Sequence, residues 1–252
     1  MNALTEQERQ QGYRLLFDGS TLGGWAVTRQ PEEWLVRDGN LVCTGDSHGY
    51  AYTEDQFENF ILELEYKGAP GTNSGVFFRW SDLSDPVNTG LEMQIWDTFH
   101  QEEMVKNSSG ALYDLVAPSV NAVRPAGEWN QIVVKCDGSI VELTLNGTLV
   151  VKADLDQWTV AGKNPDGTDN KFKYAWRDQP RRGHIGLQNH GGYIEFRNLK
   201  LIELYPPQGG GRSSLEAGEE RYEAGAGGGL WWKHSGRGLA LVSGRRGPAD
   251  TF

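Results

Sequence analysis

Between Trp34 and Leu204 the chain is written in short runs of strand-forming residues, and no amphipathic helix separates one run from the next. That spacing constrains the fold more than any other feature. Parallel sheets need crossover helices, so strands that follow one another without helices pack as antiparallel sheets, face to face. Trp34-Leu-Val-Arg-Asp38-Gly39-Asn-Leu-Val-Cys43 reads as two strands around an Asp-Gly turn, and Val141–Leu145 turns at Asn146-Gly147 and returns through Thr148 to Lys152. Phe60–Tyr66, Gly75–Trp80, Leu91–Trp96, Gln131–Cys136, Ile185–Gln188 and Tyr193–Leu204 supply further strands. One short helix is expected at Thr5–Gly12, where Thr5 and Glu8 have the spacing of a capping box. The expected fold class is all-β, a sandwich of two antiparallel sheets with a short N-terminal helix.

Composition narrows the function classes. Charged residues make up 23% of the chain and the net charge is −10, which argues against a nucleic-acid groove lined with basic residues. Trp, Tyr and Phe occur nine times each; in a Gly-rich β protein they suit a carbohydrate platform or a sandwich core equally well. No run of about 18 apolar residues is present, so no transmembrane helix is expected. The polar, acidic start, Met1 to Gln10, does not read as a signal peptide. Two localisations are therefore open: periplasmic or secreted if a leader has been removed, cytoplasmic if the chain is complete. Cys43 and Cys136 lie in strand-like runs, and whether they bridge is undetermined by sequence. At Pro206-Pro207 the text becomes Gly- and Arg-rich without period. Residues 13–205 are read as one sandwich domain and 206–252 as a disordered tail.

Several polar residues sit where strands should be burying side chains. Gly90-Leu-Glu92-Met-Gln94-Ile-Trp96-Asp97 places Glu92 and Gln94 on one face of a strand, and a bulge would bring Asp97 round to join them. Without the bulge the two carboxylates face opposite ways. Asn73-Ser74-Gly75 leads into a strand that ends in Arg79. In Gly183–Leu199, two strand-like runs meet at His190-Gly191-Gly192; a hairpin there would hold Gln188, His190, Glu195 and Arg197 near one face, or be an ordinary hairpin with a solvated polar side. His48, His100 and His184 show no linking pattern. The connection Asp154–Arg182 is long enough to carry function.

In order along the chain, Leu15-Leu-Phe-Asp-Gly-Ser-Thr-Leu-Gly-Gly-Trp25, Asn73-Ser-Gly75 with Arg79, Gly90-x-Glu92-x-Gln94-x-x-Asp97, Gly110-Ala-Leu-Tyr113, Pro125-Ala-Gly-Glu-Trp-Asn130, Leu145-Asn-Gly147 and Gly186-Leu-Gln-Asn-His-Gly191 with Phe196-Arg-Asn198 resemble the 3-keto-disaccharide hydrolase family. The resemblance spans about residues 13–205. Asn189 stands where the family often has Asp. The resemblance implies a concanavalin A-like jelly roll and bacterial enzymes that act on sugars oxidised at C3, often behind a secretion signal.

On such a substrate the C3 carbonyl acidifies the C2 hydrogen. Loss of that proton gives an enolate that expels the C1 oxygen, and water addition completes a net hydrolysis. Glu92, Asp97 and His190 are the candidate acid and base, with their roles open. Arg79, Arg197 or a divalent cation held by the carboxylates would stabilise the enolate. One pocket is expected, lined by Glu92, Gln94, Asp97, Arg79, His190 and Arg197, with Tyr113 and Trp176 as walls and Gln188 contacting the saccharide. Two alternatives stand beside this: a retaining glycosidase of laminarinase-like type, echoed by Glu92-x-Gln94-x-x-Asp97, and a non-catalytic carbohydrate-binding module.

Overall fold

The computed structural model describes residues 2–45, 47–205, 222–224, 230–235 and 238–243. After helix α1 (Glu6–Gln11), thirteen strands build a sandwich: β1 (Arg14–Leu15), β2 (Trp25–Val27), β3 (Trp34–Arg37), β4 (Asn40–Cys43), β5 (Gly49–Phe57), β6 (Phe60–Gly68), β7 (Asn73–Trp80), β8 (Leu91–Trp96), β9 (Asn130–Asp137), β10 (Ile140–Leu145), β11 (Thr148–Asp154), β12 (Gly183–Asn189) and β13 (Ile194–Glu203). Helix α2 (Pro86–Thr89) lies between β7 and β8. One sheet runs β11-β10-β9-β6-β13-β4-β3, with β1 on β13; the other runs β2-β5-β12-β7-β8, and every pairing is antiparallel.

The predicted capping box forms: Thr5 and Glu8 satisfy each other's backbone N–H groups, and Gly12 closes the helix in the left-handed region. Both predicted two-residue turns form as well. Arg37 pairs with Asn40 across Asp38 (φ 51°) and Gly39 (φ 75°), and Leu145 pairs with Thr148 across Asn146 (φ 50°) and Gly147 (φ 80°). Positive φ at both central residues matches the strand twist, which is why Asp-Gly and Asn-Gly specify these hairpins.

Strand alternation divides the five-stranded sheet into a core face and an outer face. Val76, Phe78, Leu91, Met93, Ile95, Ile185 and Leu187 enter the core, where they meet Phe60, Leu62, Leu64, Val134 and Phe196 from the larger sheet. Their neighbours Phe77, Glu92, Gln94 and Gln188 point the other way and line a cleft on the outer face.

The predicted hairpin at His190-Gly191-Gly192 is a correction. Strand β12 pairs with β5 and β7, whereas β13 pairs with β4 and β6, so the turn carries the chain from one sheet to the other. Gly191 and Gly192 take φ of 100° and 88°, and Gly192 packs so closely on Thr72 that a Cβ would clash. Cys43 and Cys136 are on β4 and β9 with β6 and β13 between them, roughly 14 Å at ordinary strand spacing and beyond disulfide reach.

The chain divides into two units, Met1–Glu203 and Leu204–Phe252. In the second, β14 (Tyr222–Ala224), β15 (Leu230–Ser235) and β16 (Gly238–Ser243) form an antiparallel sheet in that order. The rest of the expected tail, 206–252, falls outside the described residues.

Candidate active site

The cleft on the outer face of the five-stranded sheet has a volume of about 470 Å³. Its floor comes from β8 (Glu92, Gln94, Trp96), β7 (Asn73, Phe77) and β12 (Gln188), with Tyr50 from β5. Its rim comes from loops, with His48, Asn107, Tyr113, Lys171 and His190, and from Val87 on α2. Period-two geometry puts Glu92, Gln94 and Trp96 on one face.

Glu92 is the centre of the site. It is 9% exposed, and among the described residues no group hydrogen-bonds to or ion-pairs with its carboxyl. Burial pushes its pKa up to about 8, against a weaker opposing pull from Lys171. The carboxyl fits because position 75 is glycine: a Cβ there would overlap it. Lys171 is exposed as a whole residue, but its ammonium end reaches inward and lies 4.0 Å from the centre of the Tyr113 ring. Burial lowers the Lys171 pKa, with Glu92 and Asp114 pulling the other way. Desolvation thus wins at both groups and drives both toward neutrality.

A polar network joins Glu92's strand to the imidazoles. Gln94 Nε2 donates to Asn73 Oδ1 at 3.0 Å, and Asn73 Nδ2 lies 3.5 Å from His190 Nδ1. The His190 and His48 rings meet edge to face with centroids 4.7 Å apart. Gln188, held through its carbonyl by Ser74 Oγ at 2.7 Å, lines the floor between them and Tyr50.

Of the predicted site residues, Glu92, Gln94, Gln188, His190 and Tyr113 converge on this cleft, and four do not. Asp97 is exposed outside it. Strand β8 pairs with β7 in unbroken register from Phe78↔Leu91 to Asn73↔Trp96, so the expected bulge is absent; Asp97 instead accepts from the Gly71 N–H at 2.9 Å. Arg79 has φ 52° and is buried, with Nε donating to the Glu58 carbonyl at 3.0 Å and Nη2 reaching Asn59 Oδ1 at 3.4 Å. Trp176 is a core residue packed edge to face on Phe172 at 5.1 Å. Arg197 belongs to the other sheet, where it pairs with Glu65 at 2.6 Å and stacks on Trp129 at 3.8 Å.

Sequence reading missed Lys171, His48, Tyr50, Asn107 and Trp96. Trp96 was within reach, since it lies two residues beyond Gln94 on the same face. Lys171 had only the length of its connection as a signal. Among the described residues no cluster of three His, Cys, Asp or Glu is placed to hold a metal ion. The pair expected to carry one, Glu92 and Asp97, is not assembled.

Residues 12–202 match the family model described as a 3-keto-alpha-glucoside-1,2-lyase-like domain. The chain belongs to this family. A Bacteroides thetaiotaomicron protein named 3-keto-disaccharide hydrolase is 27% identical over 228 residues, covering 77% of this chain and 79% of that protein. Among solved structures, a Parabacteroides distasonis protein provisionally called a glycosyl hydrolase is 33% identical with a TM-score of 0.69, covering 76% of this chain and 99% of that one. A second from the same organism, named in the same way, is 27% identical with a TM-score of 0.66, covering 81% and 99%. The jelly-roll sandwich is thus shared with the family. No helix among the described residues is long and apolar enough to cross a membrane.

Proposed function

We propose that this protein cleaves 3-keto-glycosides by elimination at C2 and C1 followed by hydration. The observation that carries the reading is Glu92: a buried carboxyl without a hydrogen-bonding partner among the described residues, held largely neutral near pH 7. A neutral carboxylic acid in an apolar site can donate a hydrogen bond to a developing enolate. The names of the family and of the Bacteroides relative point to the same substrate class.

In this reading the C3 carbonyl oxygen lies against Glu92 and the Lys171 ammonium. His190 takes the C2 proton, and the C–H electrons become the C2–C3 double bond of the enolate, whose oxygen accepts from Glu92 and Lys171. The enolate then collapses, the C1–O bond breaks, and the departing oxygen takes the proton back from the imidazolium, directly or through His48. Water adds at C1 and a proton returns to C2, giving net hydrolysis. Gln94, Asn73 and Gln188 hold hydroxyls, and Trp96 offers a ring face to the sugar. Any divalent cation is left outside these steps.

The retaining-glycosidase alternative needs two carboxyl groups about 5–5.5 Å apart. Glu92 is the only carboxylate lining the cleft among the described residues. A binding module has no need of a neutral acid, an ammonium and two imidazoles in one cleft.

The roles can be tested with 3-keto-glucosides. If Glu92 donates, turnover falls on the alkaline side as Glu92 ionises through about pH 8. Glu92→Gln, which keeps a donor, loses that limb and retains more activity than Glu92→Ala; removing such a donor typically costs about 10²–10³ in rate. A rate that rises through pH 8 in the wild type, with Gln and Ala equally inactive, would make Glu92 the base instead.

A further inference from the structure

Next to the Glu92 cleft lies a second lobe of about 300 Å³. The two share four wall residues, His48, Tyr50, Gln188 and His190, so they form one groove with the imidazoles at its waist. The far walls of the second lobe are Thr28 and Arg29, just after β2, and Leu83, Ser84 and Pro86, at the entry to α2. Both are fixed by hydrogen bonds made without any ligand. Thr28 exchanges bonds with Tyr50 through its backbone N–H at 2.9 Å and its hydroxyl at 3.0 Å. The Asp82 carbonyl, just before Leu83, accepts from Trp80 Nε1 at 2.6 Å and Thr89 Oγ1 at 3.1 Å.

The two lobes differ in chemistry. The first holds the neutral acid and the amides suited to a keto sugar. The second is lined by no carboxylate among the described residues, and Arg29 lines it together with apolar Leu83 and Pro86. Arg29 is the only Lys or Arg among the residues that line it. Arg29 makes no ion pair among the described residues, so its donors are available to a ligand.

We propose that the second lobe is the leaving-group subsite, and that Arg29 makes it favour leaving groups bearing an anionic substituent such as a carboxylate. This rests on the elimination reading above: with the ketone at Glu92 and C2 at His190, the C1 oxygen faces the waist and the leaving group extends past it. Leu83 and Pro86 then cover one face of the leaving group, while Arg29 meets its charged edge.

The test compares three 3-keto-glucosides, methyl, phenyl and 4-carboxyphenyl, on the wild type and on Arg29→Ala and Leu83→Ser. The wild type should prefer the carboxyphenyl substrate. Arg29→Ala should lower kcat/KM about tenfold for that substrate, the expected effect of one partly exposed charge-assisted pair. It should have little effect on the phenyl substrate and none on the methyl one. Leu83→Ser should weaken both aryl substrates alike and spare methyl. An equal loss on all three substrates, or none, would overturn the assignment. Binding of unoxidised 4-carboxyphenyl glucoside, read by calorimetry, separates this from the elimination reading. If no substrate turns over, that reading fails, yet a tenfold loss of binding in Arg29→Ala upholds the subsite and unchanged binding sinks it.

Discussion

Glu92 occupies a position at which ionisation opposes folding. Its native pKa of about 8 lies above the ordinary carboxylate value, so between about pH 4.5 and pH 8 the unfolded chain releases a proton that the folded chain keeps. Stability contributed at low pH is therefore lost as pH rises through this window, by on the order of 5 kcal/mol, and is level above it. Glu92→Gln cannot ionise. Its unfolding midpoint should match the wild type near pH 4, exceed it increasingly up to about pH 8, and keep the gap beyond; a gap constant from pH 4 to 9 would contradict the burial argument. Arg79 tests the opposite case, a polar residue the sequence suggested for the site that the fold uses internally. Arg79→Ala removes a buried side chain and leaves the Glu58 carbonyl without its donor, at a cost of about 2 kcal/mol or more. Denaturant titration should show that loss while kcat/KM of the folded enzyme stays within about threefold; a selective loss of substrate affinity would return Arg79 to the site.

At the scale of strands, the site depends on how closely β7 and β8 approach. Gly75 opposes Gln94 in the register and leaves the space in which the Glu92 carboxyl lies. Gly75→Ala should keep the fold but displace that carboxyl, and turnover should fall by about tenfold or more, since misplacements near 1 Å carry costs up to about 10². A melting curve and a rate measured together decide it; unchanged turnover would show that the carboxyl has room to move. Strand alternation is also why much of the site was legible. A period of two places Glu92 with Gln94 and sends Asp97 away unless a bulge intervenes, and Asp-Gly and Asn-Gly determine their own hairpins. Arg197 was misread because a turn's sequence says that the chain reverses, not which sheet it enters next. Lys171 and Trp176 lie on the same connection, yet one reaches the cleft and the other the core. Tertiary packing decides that, and no local period encodes it.

In the molecule as a whole the two sheets divide the work. The larger carries charge pairs on its outer side, among them Glu65–Arg197, Lys67–Glu195 and Glu63–Lys200, which suit a solvated face. The smaller has given its outer side to a groove lined by Glu92, Lys171, His48 and His190, while the interior between the sheets is apolar. The central claim is that this groove breaks glycosidic bonds through an enolate. The most direct measurement is turnover of a 3-keto-glucoside beside its unoxidised parent in deuterium oxide, with the released sugar read by NMR. The account predicts release from the ketone alone, with deuterium at C2. Equal release from both substrates with protium retained at C2 would contradict it.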